Sequence, residues 1–229
     1  MSEAGFVLHS LPYRETSLIV ELFSHKLGRL AVVAKGARRP QSALRAVLLQ
    51  FQPIEFAVAG KGELRTLTRA EWQGGLPMPS GEALLFAFYL NELLVRLLTR
   101  EDPHPGLYDG YVQALRALGE RGAHEEVLRR FEWLLLRETG YAPDLSRDQK
   151  GRELQPGADY RMLDGQLVLS DAADEEGFSG RVLRDIASGR YDAPGALASA
   201  KRLSRQVLGA QLEGIPLKTR QILIDLQRL

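Results

Sequence analysis

Apolar and polar positions alternate through residues 1–70, then shift to a helical spacing, and that change of period divides the chain close to Trp72. Residues 6–10, 17–24, 28–34, 53–59 and 63–68 are short runs rich in β-branched and aromatic side chains, which predicts five strands. Turn-forming residues separate them: Pro12 in the first gap, Lys26-Leu27-Gly28 in the second and Gly60-Lys61-Gly62 in the last. A longer connection, 35–52, parts the third strand from the fourth. Five short strands with one long connection suit a small closed barrel such as the OB-fold, and an SH3-like barrel has a similar signature.

Beyond Trp72, Gly74-Gly75, Pro77, Pro79 and Gly81 mark a linker, with Ser80 as the expected N-cap of a helix carrying Glu82 in its first turn. That helix, 82–99, is apolar on most sides through Leu84, Phe88, Leu94 and Leu98, which predicts a central position; Glu92 and Arg96 are spaced to pair along it. Further helices are predicted over 107–118 and 125–139. In the latter Leu128, Phe131 and Leu135 recur at helical spacing, and Gly140 supplies the stop. Residues 140–176 break the pattern: 160–169 reads as a β-hairpin turning at Asp164-Gly165. Helices resume over 179–188, 193–212 and 218–227. The expected class is therefore α+β in two domains: a barrel over 1–79, then a mainly helical domain over 80–229 with a small hairpin insertion at about 140–170.

Composition narrows the chemistry. With 45% hydrophobic and 26% charged residues and no low-complexity tract, the 229-residue chain is globular. The absence of cysteine excludes disulfides, a thiolate nucleophile and Cys-type zinc ligation, and His9, His25, His104 and His124 lack metal-ligand spacing. No stretch approaches the roughly 18 apolar residues a membrane span needs, so the protein is expected to stay in the cytoplasm. Catalytic constellations are likewise missing. Gly60-Lys61-Gly62 lacks the spacing of a phosphate-binding P-loop, His124-Glu125 lacks a second histidine, and no serine sits in a nucleophile-elbow string. The acidic run Asp171, Asp174, Glu175 and Glu176 has the residue types of a magnesium site, although such runs are usually solvated loops. Neither an enzyme nor a cofactor is expected.

The net charge of +1 hides an asymmetry. Residues 1–70 hold ten Lys/Arg against five Asp/Glu, 71–200 hold fourteen against twenty-two, and 201–229 hold six against two. Basic ends around an acidic middle are what a polyanion partner would select. On the barrel the basic set is Arg29, Lys35, Arg38, Arg39, Arg45, Lys61 and Arg65, and four of these crowd into the long connection. Cations along an OB-fold groove neutralise phosphates and release counterions, the main source of sequence-independent affinity; the plain alternative is a solvated surface. Among the aromatic residues Phe23, Phe51 and Phe56 sit in apolar contexts that predict core, leaving Tyr13 as the stacking candidate. A second basic group, Lys201, Arg202, Arg205, Lys218 and Arg220, reads equally well as an exposed helical face or as a second DNA contact.

Several local strings occur in an order that carries information none holds alone: Phe6-Val7-Leu8-His9-Ser10, Glu15-Thr16-Ser17-Leu18, Ala34-Lys35-Gly36-Ala37-Arg38, Gln50-Phe51-Gln52-Pro53, Tyr89-Leu90-Asn91-Glu92-Leu93-Leu94, Leu128-Arg129-Arg130-Phe131-Glu132 and Pro216-Leu217-Lys218-Thr219-Arg220. Together they resemble the RecO family of bacterial DNA repair proteins over nearly the whole chain. The resemblance implies an N-terminal OB-fold, a helical C-terminal domain and a role in recombinational repair. Its implied activities are binding of single- and double-stranded DNA, ATP-independent annealing, and help in loading recombinase onto strands coated by single-stranded DNA-binding protein (SSB). RecR and the C-terminal tail of SSB are the implied partners. Many members carry a four-cysteine zinc module after the third helix; here the matching stretch has no cysteine, which implies a zinc-free variant.

The resemblance also singles out Arg129 and Arg130 as receivers of the acidic, hydrophobic-ended SSB tail, with Arg129 favoured. Read locally, each is instead spaced to pair with Glu125 or Glu126 four residues earlier. Two readings from other classes stay open. One is an RNA-binding OB-fold protein, which a preference for RNA over single-stranded DNA distinguishes; the other is a peptide-binding adaptor that ignores oligonucleotides.

Overall fold

The computed structural model describes residues 2–120, 122, 124–170 and 177–226. The run Asp171, Asp174, Glu175 and Glu176 lies outside these residues. The chain forms two compact units, Met1–His124 with Leu217–Leu229, and Glu125–Pro216.

The first unit is built on strands β1 (Glu3–Tyr13), β2 (Ser17–Ser24), β3 (Gly28–Ala34), β4 (Pro53–Ala59) and β5 (Leu64–Trp72), with the short helix α1 (Leu44–Val47) between β3 and β4. They close into a barrel in the order β1-β2-β3-β5-β4, with β4 returning to β1. All pairs are antiparallel except β3 with β5. This is the OB-fold arrangement. β1 serves two neighbours by means of a register shift between Val7 and His9: Glu3 to Phe6 pair with β4, and Gly5 to Tyr13 pair with β2. Pro12 is not in a turn, as its residue type suggests, but inside β1 opposite Leu18. From His9 onward β1 pairs with β2 alone, so a residue without an N–H is tolerated on the open edge. The turn falls at residues 14–16 instead, with Arg14 at φ 52°.

Alternation along these strands fills the barrel with Val20, Leu22, Leu30, Val32, Ile54 and Phe56, and the long connection contributes Ala37 and Leu48 to the same core. Phe6 and Phe23 face out of the barrel and meet Tyr108 and Tyr111 of helix α3 (Pro105–Gly119), with Phe6 and Tyr111 edge to face at 5.2 Å. Helix α2 (Glu82–Leu97) packs against β1. Gly81 at φ 58°, rather than Ser80, occupies its N-cap, and no side chain caps the helix.

One buried polar cluster ties barrel to helices. The Asn91 amide donates to the Leu8 carbonyl at 2.9 Å, and the Tyr111 hydroxyl donates to Asn91 Oδ1 at 2.5 Å. Tyr111→Phe removes the donor while leaving Asn91 Oδ1 in a dry interior. The expected loss is about 1–3 kcal/mol, read from the shift of the urea unfolding midpoint; an unchanged midpoint would mean that water reaches Asn91.

Helix α7 (Lys218–Leu226) completes this unit by packing on α2. Glu92 does not pair with Arg96 as the spacing suggests. Its carboxylate accepts the backbone N–H groups of Lys218 and Thr219, each at 2.9 Å, and the Thr219 hydroxyl at 2.7 Å. Burial pushes the Glu92 carboxyl up, but these bonds outweigh it and the group sits below its ordinary value.

The second unit holds helix α4 (His124–Glu138), strands β6 (Asp159–Leu163), β7 (Gln166–Leu169) and β8 (Phe178–Ser179), and helices α5 (Gly180–Ala187) and α6 (Ala196–Gln211). The strands form a small sheet in the order β7-β6-β8. The expected hairpin is there: Asp164 and Gly165, both at positive φ (47° and 77°), make the tight turn whose twist suits adjoining strands. Ahead of the hairpin, the cysteine-free segment is organised by carboxylates. Asp148 accepts the N–H groups of Lys150 and Arg152 and pairs with the Arg152 guanidinium at 2.7 Å, while Asp144 holds Ser146 through backbone and hydroxyl. Among the described residues no group of three or more His, Cys, Asp or Glu is placed to hold a metal, and no helix is long and apolar enough to cross a membrane.

Candidate nucleic-acid interface and peptide cleft

Three basic residues of the long connection, Lys35, Arg38 and Arg39, stand at one rim of the barrel. β3 ends beside the start of β2, with Ala34 opposite Leu18, so the 14–16 turn and the segment after Ala34 leave the barrel at the same end. Ala37, 1% exposed, plugs that segment into the core. Next to it the Arg38 N–H donates to the Thr16 carbonyl at 2.9 Å, and the Arg38 guanidinium reaches the carbonyls of Arg14 and Glu15 at 3.3 and 3.2 Å. Lys35, Arg38 and Arg39 are exposed around this join, and Arg45 is exposed further along the same connection, on α1. None of the four meets a carboxylate within ion-pair distance among the described residues. Arg14 belongs to the rim as well, its guanidinium 5.1 Å from the centre of the Tyr13 ring. Its membership is not visible along the chain, because it is the bonds of Arg38 to Arg14, Glu15 and Thr16 that bring the two loops together.

The other barrel candidates lie elsewhere. β5 pairs with β3 from Ala31 onward, so the β4–β5 loop carrying Lys61 leaves from the opposite end of β3; Lys61 is exposed there. Arg65 pairs with Glu101 at 2.6 Å. Arg29 is turned inward, where its guanidinium donates to the Val95 carbonyl and lies 3.5 Å from Glu21, which Arg100 also binds. Burial lowers the Arg29 pKa against the opposing pull of Glu21. Its charge is committed to holding β3 against α2.

The C-terminal basic group is divided between the two units: Lys218 and Arg220 belong to the first, Lys201, Arg202 and Arg205 to the second. On α6, Lys201 pairs with Glu125 at 2.6 Å. Arg202 donates to the Gly177 carbonyl at 2.6 Å, with its guanidinium 4.6 Å from the Phe178 ring centre. Arg205, Lys218 and Arg220 have exposed side chains.

On α4 the two arginines have different fates, and only one of the expected pairs forms. Arg130 pairs with Glu126 at 2.7 Å and remains exposed over Tyr191. Glu125 is taken by Lys201, and Arg129 turns into the interior to meet Glu132 at 2.6 Å. Arg130 opens a cavity of about 240 Å³ with Trp133, Pro143, Ile186 and Tyr191 in its walls. Arg137 stands on the same wall, seven residues and two helical turns from Arg130. Arg137 escaped the sequence reading, although its spacing from Arg130 puts both on one face. Trp133 is 6% exposed, and its indole N–H has no acceptor among the described residues. Such a donor is costly to leave unmet. An apolar cavity flanked by guanidinium groups suits a peptide that ends in apolar residues and a carboxylate.

Comparison with known proteins agrees with this architecture. The profile described as "Recombination protein O N terminal" matches residues 1–75, and that described as "Recombination protein O C terminal" matches residues 78–221. Curated relatives called "DNA repair protein RecO" are similar over almost the whole chain. The relative from Ralstonia nicotianae is 48% identical over 231 residues, which cover 99% of this chain and 85% of its own length. That from Azoarcus sp. is 48% identical over 234 residues, covering 99% and 96%, and that from Aromatoleum aromaticum is 47% identical over 231 residues, again covering 99% and 96%. A closed OB barrel followed by helices, matched by both halves of one family's profile, makes this chain a member of the recombination protein O family.

Proposed function

We propose that this protein is a DNA repair and recombination mediator that makes and breaks no covalent bond. It binds single- and double-stranded DNA, anneals complementary strands without ATP and helps load recombinase onto SSB-coated DNA, with RecR and the SSB tail as its partners. The observation that supports the reading is the barrel rim, where Arg14, Lys35, Arg38 and Arg39 surround the join of two loops with no carboxylate within ion-pair distance among the described residues. Cations left unneutralised by the protein are available to phosphates, and they lower the repulsion that keeps two strands apart. Backbone charge dominates such contacts, so sequence preference is slight. In this reading Arg45, Lys61, Lys218 and Arg220 of the first unit and Arg205 of the second are further phosphate contacts, while Arg29 and Arg65 lie against Glu21 and Glu101. The SSB tail is assigned to the cleft beside Arg130 and Arg137, with Arg129 serving the interior.

The test is strand annealing of complementary oligonucleotides coated with SSB, with no nucleotide present. Annealing well above the protein-free rate is expected, and it falls when the SSB carries no C-terminal tail. A rate equal to the protein-free control defeats the proposal.

A further inference from the structure

Tyr13 ends β1 opposite Ser17, and in the row before it Pro12 faces Leu18, which faces Ala34 of β3. Leu18 and Ala34 pack into the barrel core. Side chains alternate along a strand, so the row that holds Tyr13 and Ser17 points outward. Carrying the register one residue past Ala34 brings Lys35 into line with them. At about 4.8 Å from strand to strand, the tyrosine and the lysine stand roughly 10 Å apart on the outer face of the barrel, with a serine between them.

The turn after β1 sets a cation on the same ring. Arg14 has φ 52°, a backbone conformation that residues other than glycine seldom take. The Arg38 guanidinium donates to the carbonyls of Arg14 and Glu15, at 3.3 and 3.2 Å, and so holds the turn in that form. The Arg14 guanidinium thereby lies 5.1 Å from the centre of the Tyr13 ring and covers one of its faces. The ring itself is half-buried, and its hydroxyl has no hydrogen-bond partner among the described residues.

Other aromatic side chains of the first unit are placed differently. Phe6 and Phe23 pack on Tyr108 and Tyr111. Trp72 is 57% exposed, but its indole N–H donates to Gln52, and beside it Glu71 faces Glu55 across the strand pair. Two carboxylates in that position repel phosphate. Tyr13 is the ring that stands among cations.

We infer that Tyr13 takes one unpaired base of a DNA strand on the face that Arg14 leaves open, while the cations of the rim hold the neighbouring phosphates. This rests on the rim reading given above and adds the residue that tells a single strand from a duplex. Paired bases in a duplex are stacked on one another, so a duplex meets only the rim's charges. A single strand gains the ring as well, whatever the base, because every base has a π face.

The test uses the full-length protein and two fluorescein-labelled strands of equal length and charge, one of thymidines and a twin with the same backbone and no bases. Fluorescence anisotropy is expected to show the thymidine strand bound about 5- to 30-fold more tightly than its twin, the worth of one stacked base. Tyr13→Ala is expected to bind both strands equally, at the twin's affinity, and Tyr13→Phe to keep the preference. Duplex affinity of Tyr13→Ala should move by less than about twofold, and the slope of log affinity against log salt concentration should stay as it was, since no phosphate contact is given up.

A preference for thymidines that survives Tyr13→Ala, or that Tyr13→Phe also loses, overturns the inference and leaves the rim's phosphate contacts standing. Equal binding of the two strands by the unaltered protein overturns it too, whether or not the variants fold. If Tyr13→Ala weakens both strands and the duplex alike while melting as the unaltered protein does, Tyr13 only supports Arg14 and the inference falls. Failure of the unaltered protein to bind either strand overturns the inference and the rim reading together.

Discussion

Replacing Arg38 and Arg39 together by glutamate is expected to lower affinity for a short single-stranded oligonucleotide by about 10- to 100-fold at low salt. Both side chains stand on the exposed barrel rim, and neither has an ion-pair partner among the described residues, so reversal removes two phosphate contacts and adds two repulsions. The slope of log affinity against log salt concentration is expected to become shallower by about 1.4, from two contacts at about 0.7 each for a single strand. Stability should change little. The substitution gives up the Arg38 guanidinium's bonds to the Arg14 and Glu15 carbonyls, but these lie at the exposed surface, and the loops stay joined by the Arg38 N–H to the Thr16 carbonyl, a backbone bond that survives any side-chain replacement, and by the Ala37 anchor. Fluorescence titration across a salt series, with a thermal melt of each variant, makes the measurement. Equal slopes for the variant and the unaltered protein would take the rim out of the interface.

The second large effect is on stability. Glu132→Ala is expected to destabilise the protein by about 3–5 kcal/mol, because it strands the Arg129 charge in the interior. Glu132 is 1% exposed and Arg129 is 6% exposed, and the two are held at 2.6 Å. The companion Arg129→Met/Glu132→Leu removes both charges at similar volume and is expected to be near neutral or better. Urea unfolding of the three proteins reads this directly. Peptide affinity of the double variant then separates the two roles: it should match the unaltered protein, since Arg130 and Arg137 face the cleft and Arg129 does not. A Glu132→Ala variant within about 1 kcal/mol of the unaltered protein would mean that water reaches the pair.

Much of the barrel was legible along the chain. β2, β3 and β4 begin and end where alternation and turn residues place them, because each has one face in the barrel and its neighbours on both sides. β1 was harder, for two reasons that are not local. Its far half pairs on one side only, which admits Pro12, and Phe6 and Phe23 are buried outside the barrel by α3, so both faces of those strands are apolar. The hairpin announced itself through Asp164-Gly165, since few other residues accept two successive positive φ values.

Site residues were less legible because charge partners come from distant parts of the chain. Spacing pairs Glu125 with Arg129 and Glu92 with Arg96, yet Lys201 captures the first glutamate and the start of α7 the second. Arg29 looked like its neighbours in composition and differs only because Glu21 and the Val95 carbonyl surround it. Lys35, Arg38 and Arg39 keep together because one short stretch, 35–39, holds them beside the anchored Ala37.

The return of α7 to α2 makes the first unit discontinuous in sequence, with Glu125–Pro216 inserted between its parts. During synthesis the barrel and helices α1 to α3 therefore leave the ribosome long before the segment that finishes their packing, and Glu92 has no backbone N–H to receive until Lys218 and Thr219 emerge. A premature stop ahead of Leu217 would leave Glu125–Pro216 whole and the N-terminal unit unfinished, so damage at the end of the message is felt at the beginning of the fold.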